Sequence, residues 1–262
     1  MLKKITLRLL KLFNLKILTN KKFDLITNEI KFLKKQSNDF DSKIQYVLNY
    51  NESVEFYTFI LKNFNKSFSQ NYEDLIASYL LDKYKFQYPI EKFFVEIGAF
   101  DGITYSTTKY FEDTFNFNGI AIEASPGNYE KLKKNRKCVV LNYAVDCVSG
   151  EPKKLKEDGV YSKFVESEEE SAFTKVMTKS VLEIFEEFNC PLNIDFVSID
   201  TEGNEYEILK GIDLEKYNIK ILCIETNFDN DKSQLIKTHL SKYGYQKVLN
   251  NKFDFNSWFI KV

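Results

Sequence analysis

The chain has 262 residues, of which 44% are hydrophobic and 29% charged, with a formal net charge of −1. That length holds one large α/β domain with an appendage, or two small domains, and the composition supplies a full apolar core while the balanced charge argues against a dedicated nucleic-acid binder. Cys138, Cys147, Cys190 and Cys223 form no Cys-x-x-Cys pair and only one histidine, His239, is present, which argues against a zinc site or a disulfide scaffold and suits a reducing cytoplasm.

Residues 1–22 carry seven basic residues from Lys3 to Lys22 and no acid before Asp24, with Leu2, Ile5, Leu9, Phe13 and Ile17 near one helical face. Charges interrupt this run too often for a membrane span or a signal-peptide core. Two readings stay open: a basic amphipathic helix lying on a membrane surface or a partner, or a helix packed on its own domain or on a second copy in a homodimer. Helical patterning continues to about residue 66 without a Gly or Pro, so residues 1–66 are expected to be a helical appendage and 67–262 the main domain.

Ser69-Gln-Asn-Tyr-Glu-Asp74 looks like a helix entry, with the helix running to about Tyr84, and strand one is expected from about Phe93, ending at Glu96 before a turn over Gly98 and Gly102. Helix Tyr105–Phe115, strand Gly119–Ile122, helix Pro126–Arg136 and strand Val139–Asn142 follow. Residues 146–175 read as a long polar stretch with a solvated acidic run at 166–170. Helix Thr178–Phe188, strand Phe196–Ile199, helix Glu205–Lys210, strand Ile221–Ile224, helix Lys232–Tyr243 and two closing strands complete the pattern. Strands alternating with helices predict βαβ units and a mainly parallel sheet.

Two groups of residues carry chemistry. Glu96 and Glu123 stand at strand ends, where an open parallel sheet binds ligands, and a carboxylate at the second strand end suits the two hydroxyls of a ribose. Between them Gly98-Ala-Phe-Asp101-Gly102 is neither Gly-x-Gly-x-x-Gly nor a Walker loop, which counts against a nicotinamide-dependent oxidoreductase and against phosphate cradling. Farther on, Asp200, Glu202 and Glu205 crowd the end of one strand and Glu225 ends the next. Convergent carboxylates are costly without protons, cations or donors, so they are expected to accept a substrate proton, hold a divalent ion or fix sugar hydroxyls. His239, on a helix remote from these motifs, reads as structural, and Trp258 as core.

Phe93–Gly102, Gly119-Ile-Ala-Ile-Glu123, Asn142-Tyr-Ala144 and Ser198-Ile-Asp200-Thr-Glu202-Gly-Asn-Glu205 resemble the FkbM family of S-adenosylmethionine-dependent methyltransferases. Ser69-Gln70 through Asp74 and Ser106–Thr108 look like further family segments, and the resemblance covers about residues 67–262. It implies a Rossmann-like class I methyltransferase fold, α/β, with a seven-stranded mainly parallel sheet whose last strand is antiparallel. It also implies S-adenosylmethionine as cofactor and O-methylation of a sugar, glycan or other hydroxylated metabolite, with surface-polysaccharide components, nucleotide-linked or not, as the implied class.

Carried over by position, Glu96, Gly98, Asp101 and Gly102 would line the methionine half of the cofactor and Glu123 would hold the ribose. Asn142 and Ala144 would lie near the adenine, and Gln70, Ser106 and Thr108 near the methionine carboxylate or the acceptor. Asp200 or Glu202 is the expected catalytic base, with Asp200, Glu202, Glu205 and Glu225 as a candidate magnesium or manganese site. The competing reading is a non-catalytic methyltransferase-like scaffold.

Overall fold

Short apolar runs become the middle of one sheet. The computed structural model describes residues 43, 46–47, 50, 52–165, 173–249 and 255–262. The first three strands are β1 (Phe93–Ile97), β2 (Asn118–Ile122) and β3 (Val139–Leu141). Next come β4 (Ala144–Asp146), β5 (Pro152–Lys156), β6 (Lys163–Phe164) and β7 (Thr174–Ser180). The chain closes with β8 (Asn193–Ile199), β9 (Asn218–Glu225), β10 (Tyr245–Val248) and β11 (Asn256–Lys261). Helices are α1 (Val54–Asn63), α2 (Glu73–Lys83), α3 (Lys109–Phe115) and α4 (Pro126–Asn135). α5 (Val181–Glu187), α6 (Glu205–Lys210) and α7 (Asn230–Ser241) follow.

The main sheet runs β10-β11-β9-β8-β1-β2-β3. β1, β2, β3, β8 and β9 pair in parallel, and the last strand, β11, lies antiparallel between β9 and β10. This is the mainly parallel α/β sheet expected from the alternating pattern, with the seven strands and antiparallel last strand that the family resemblance implies. Strands β8 and β9 are buried along nearly their whole length, as central parallel strands must be when both faces are covered.

Three features depart from the sequence-based expectation. The stretch expected to be polar, 146–175, is not simply that in its described residues: β4, β7, β5 and β6 form a second, four-stranded sheet. Its strands are short, and β5 (Pro-Lys-Lys-Leu-Lys) buries only Leu155, so no apolar run announces it. The helix expected from Thr178 therefore starts at Val181, where the Ser180 hydroxyl accepts the Glu183 N–H. Likewise the helix expected from Tyr105 starts only at Lys109, because Ser106, Thr107 and Thr108 are drawn to Glu96.

The third departure concerns the N-terminal region. Val47, Tyr50, Phe56 and Ile60 are fully buried and share one apolar cluster with Leu75 and Leu80 of α2, Phe94, Phe196 and Trp258. The described part of residues 1–66 thus covers one face of the sheet and shares its core. The opposite face packs Val95, Ile97, Val197 and Ile199 against Ile184, Ile208 and Ile236 of α5, α6 and α7. Trp258 is core, stacked on Phe196 at 6.3 Å, and His239 packs between Tyr206 and Tyr243 on α7. The basic stretch 1–22 and the acidic run 166–170 lie outside the described residues. Among the described residues no helix is long and apolar enough to cross a membrane.

Candidate functional site

In the main sheet the strand order turns back on itself between β1 and β8, and a crevice opens beyond the carboxyl ends of the strands there. Gly98, Ala99, Phe100 and Glu123 line one side; Asp200, Glu202 and Glu225 line the other. Gln70, Tyr105, Tyr161, Lys163, Phe164 and Phe255 contribute walls.

The glycine turn is held by the protein itself. The N–H groups of Gly98 and Ala99 both donate to the Ile122 carbonyl, at 2.9 and 3.0 Å. Gly98 has φ +89°, and a Cβ there would stand 1.7 Å from the Asp200 carbonyl oxygen. Gly102 has φ +79°, and its Cβ would meet side chains of Leu132 and Arg136 at 2.7 Å. Both glycines are therefore demanded first by close approach within the chain, and only Gly98 of the two also faces the crevice.

Glu96 is buried with both oxygens engaged. Its Oε1 accepts from the Thr107 N–H at 2.6 Å and hydroxyl at 3.1 Å. Its Oε2 accepts from Ser106 at 3.0 Å, Thr108 at 2.6 Å and Arg136 at 2.9 Å. Arg136 also donates to Glu112 at 2.8 Å and lies over the Phe94 ring. Burial works against the charge on Glu112, but hydrogen bonding to Arg136 and its positive charge hold that carboxyl below its ordinary pKa. Glu96, Ser106 and Thr108 thus form one framework with Arg136, and of the three Thr108 does not line the crevice.

Glu123 differs. Its two oxygens accept the N–H groups of Phe100 at 2.9 Å and Ser125 at 2.8 Å, tying the glycine turn to the start of α4. The Asn128 side chain is a third donor, so the carboxylate keeps room for about one more. Burial, aided by Glu157, pushes its pKa up to about 7 against the effect of the two N–H donors and the Asn128 side chain.

Several expected site residues serve the frame and do not line the crevice. Asp101 accepts the Ile103 and Thr104 N–H groups within its own turn. The Asn142 amide donates to the carbonyls of Glu123 and Ala124, so it shapes the strand end beside Glu123. Ala144 is buried in β4 with Leu155 and Val176. Its neighbours Tyr143 and Val145 reach the crevice instead.

The acidic cluster sorts into two roles. Oxygens of Asp200, Glu202 and Glu225 lie within 4.8 Å of one another. Glu205 is not among them: its Oε1 accepts from Thr201 N–H at 2.9 Å and Gly203 N–H at 2.9 Å, while Oε2 pairs with Lys232. Burial opposes ionisation of Glu205, but Lys232 and the N–H donors outweigh it and hold the carboxyl below its ordinary pKa. Burial and the neighbouring Glu205 and Glu202 push Asp200 up to about 7. Burial and Asp200 push Glu225 up to about 9. Glu202 is raised too, by burial and Glu205, with Lys232 and Lys163 acting against it. Glu202 also sits at φ +56°, a strained turn that aims the segment after β8 at the crevice.

Sequence reasoning missed Arg136 and the segment from Gly159 to Phe164. A signal for the first existed: Arg136 is one of two arginines in a lysine-rich chain, and a branched network of this kind needs the planar five-donor guanidinium. For the second there was none, because its strands carry no periodic apolar signal.

Residues 96–247 match the family described as Methyltransferase FkbM domain. No curated protein gives a significant match to the sequence. Among solved structures, the methyltransferase FkbM from Methylobacillus flagellatus KT is similar at 12% identity, with 76% of this chain and 59% of that chain covered and a TM-score of 0.44. The N-terminal domain of human METTL16 in complex with SAH matches at 12% identity over 72% of this chain and 67% of that one, TM-score 0.42. TrmK of M. capricolum in complex with S-adenosyl-homocysteine matches at 14% identity over 71% and 66%, TM-score 0.36.

Proposed function

The chain belongs to the FkbM methyltransferase family, and from that premise we propose that it transfers the methyl group of S-adenosylmethionine to a hydroxyl of a sugar, nucleotide-linked or part of a surface polysaccharide. The observation that carries this reading is the two-sided crevice: Glu123 beside the glycine turn on one side, Asp200, Glu202 and Glu225 on the other. The Glu123 carboxylate at the crevice edge suits a ribose hydroxyl, and the turn at Gly98 suits the methionine half of the donor. Tyr105, Tyr161 and Phe164 offer ring faces, and the carboxylates offer acceptors, to a hydroxyl-rich acceptor.

The sulfonium methyl is already electrophilic. The protein has to hold the acceptor oxygen in line behind it, at about 3 Å, and take away its proton. As the carbon–oxygen bond forms, the carbon–sulfur bond breaks and its electron pair stays on sulfur, leaving S-adenosylhomocysteine. The hydroxyl proton passes to Asp200 or Glu202. Glu96 and Glu205 position these groups: the first holds the start of α3 through Ser106 and Thr108, the second the turn 201–203.

Calorimetry with S-adenosylhomocysteine tests the donor site, and Asp200→Asn tests the chemistry. The expected outcome is retained S-adenosylhomocysteine binding with turnover down by about 10²–10⁴-fold. Binding of NAD in place of the adenosyl ligand, or wild-type turnover in the variant, would overturn the respective part.

A further inference from the structure

We propose that Asp200, Glu202 and Glu225 together hold one divalent, oxygen-preferring cation, and that the acceptor's reacting oxygen completes its coordination. The proposal rests on the methyltransferase reading for its second half only; the cation site stands on the cluster's own geometry.

Three observations carry it. First, the three carboxylates offer oxygens all within 4.8 Å of one another. Two oxygens on opposite sides of a manganese or calcium ion, each about 2.4 Å from it, stand about 4.8 Å apart, so this spread fits a shared centre. Second, Glu225 is 1% exposed, lines the crevice, and its Oε2 is buried with no hydrogen-bond partner. A buried carboxylate oxygen left without a donor is costly, and a cation in the crevice supplies what it lacks. Third, no salt bridge reaches Glu225 among the described residues. Lys232 is ion-paired with Glu205 and acts on Glu225 and Glu202 only through its charge, as Lys163 does on Glu202.

A second acidic cluster shows the contrast. Asp146, Cys147 and Glu207 lie equally close together, but Lys153 pairs with Asp146 at 3.1 Å and Lys210 with Glu207 at 2.7 Å. That cluster is neutralised from within the chain. The crevice cluster has a set of hard oxygen donors only, the chemistry of magnesium, manganese or calcium and not of zinc or copper. Three protein ligands leave about three of six positions for water and acceptor oxygens. An acceptor with two adjacent oxygens, such as a vicinal diol, would fill two of them, and the cation would lower the pKa of the hydroxyl that reacts.

The test uses the full-length protein, stripped with a chelator and titrated with manganese alone, bound metal being read by electron paramagnetic resonance. One tight manganese per chain is expected in the wild type, weakened by about ten- to a hundred-fold or more in Glu225→Gln and in Asp200→Asn. Glu207→Gln, in the second cluster, is expected to bind as the wild type does. Both crevice variants remove charge from a crowded cluster, so far-UV circular dichroism should show them folded; should one fail, the other carries the test. Manganese binding that is absent, or equal in wild type and both crevice variants, overturns the cation site. S-adenosylhomocysteine binding is measured on the same samples. If that ligand binds while manganese does not, the methyltransferase reading stands alone; if manganese binds and the adenosyl ligand does not, the cation site stands and the donor site falls.

Discussion

The two sides of the crevice treat buried carboxylates in opposite ways. On the β1 side, Glu96 accepts five hydrogen bonds from Ser106, Thr107, Thr108 and Arg136, and nothing is left over. On the β9 side, Glu225 is equally buried yet has an oxygen with no hydrogen-bond partner, and its neighbours are other acids. One carboxylate is fully engaged within the fold; the other lines the crevice with one oxygen that accepts no hydrogen bond. A carboxylate at the carboxyl end of a parallel strand is therefore not by itself a ligand contact. What decides is whether its lone pairs are already taken.

The comparison can be broken at either side, and the largest expected effect is on Arg136. Arg136→Ala leaves Glu96 and Glu112 buried without their partner and should cost about 3–5 kcal/mol of stability, measured by urea unfolding. An equal loss of turnover in Asp200→Asn, with stability unchanged or raised, would show the other side serving chemistry at the expense of the fold. Gly98→Ala comes next. Its methyl group would meet the Asp200 carbonyl at 1.7 Å and adopt φ +89°, so a loss of about 1–3 kcal/mol and a disturbed acceptor side are expected together.

Glu123→Gln gives the smallest effect. S-adenosylhomocysteine affinity should fall by about ten-fold with stability little changed. The same residue gives a pH test. The folded protein holds a proton on Glu123 up to about 7, whereas an unfolded chain loses it in the ordinary carboxylate range. Its contribution to stability is thus full at low pH and is lost as pH rises towards about 7. Binding should run the other way. The ionised carboxylate is the better acceptor for ribose hydroxyls, so S-adenosylhomocysteine affinity should rise through that pH in the wild type and stay flat in Glu123→Gln.

Much of this architecture was legible in the chain. The central strands β1, β2, β8 and β9 are largely apolar runs with Glu or Asp at or just beside their carboxyl ends, and burial on both faces is what makes such runs continuous. The second sheet was not legible, since a strand like Pro152–Lys156 that buries one side chain in five positions has no period to detect. Nor were the described residues before α2 readable as core: their helical pattern says that one face is apolar, not what it covers.

Sequence alone determined the order of the main-sheet strands and their helices, the glycine turn after β1 and the presence of acids at four strand ends, because these follow from local burial and backbone sterics. Only the tertiary structure decided what each acid does. Arg136 is 40 residues from Glu96 in the chain and 2.9 Å from it in space, while Asp200 and Glu225 come together because β8 and β9 are neighbours. The role of a buried charge is set by the partners that surround it, and those partners arrive from elsewhere in the chain.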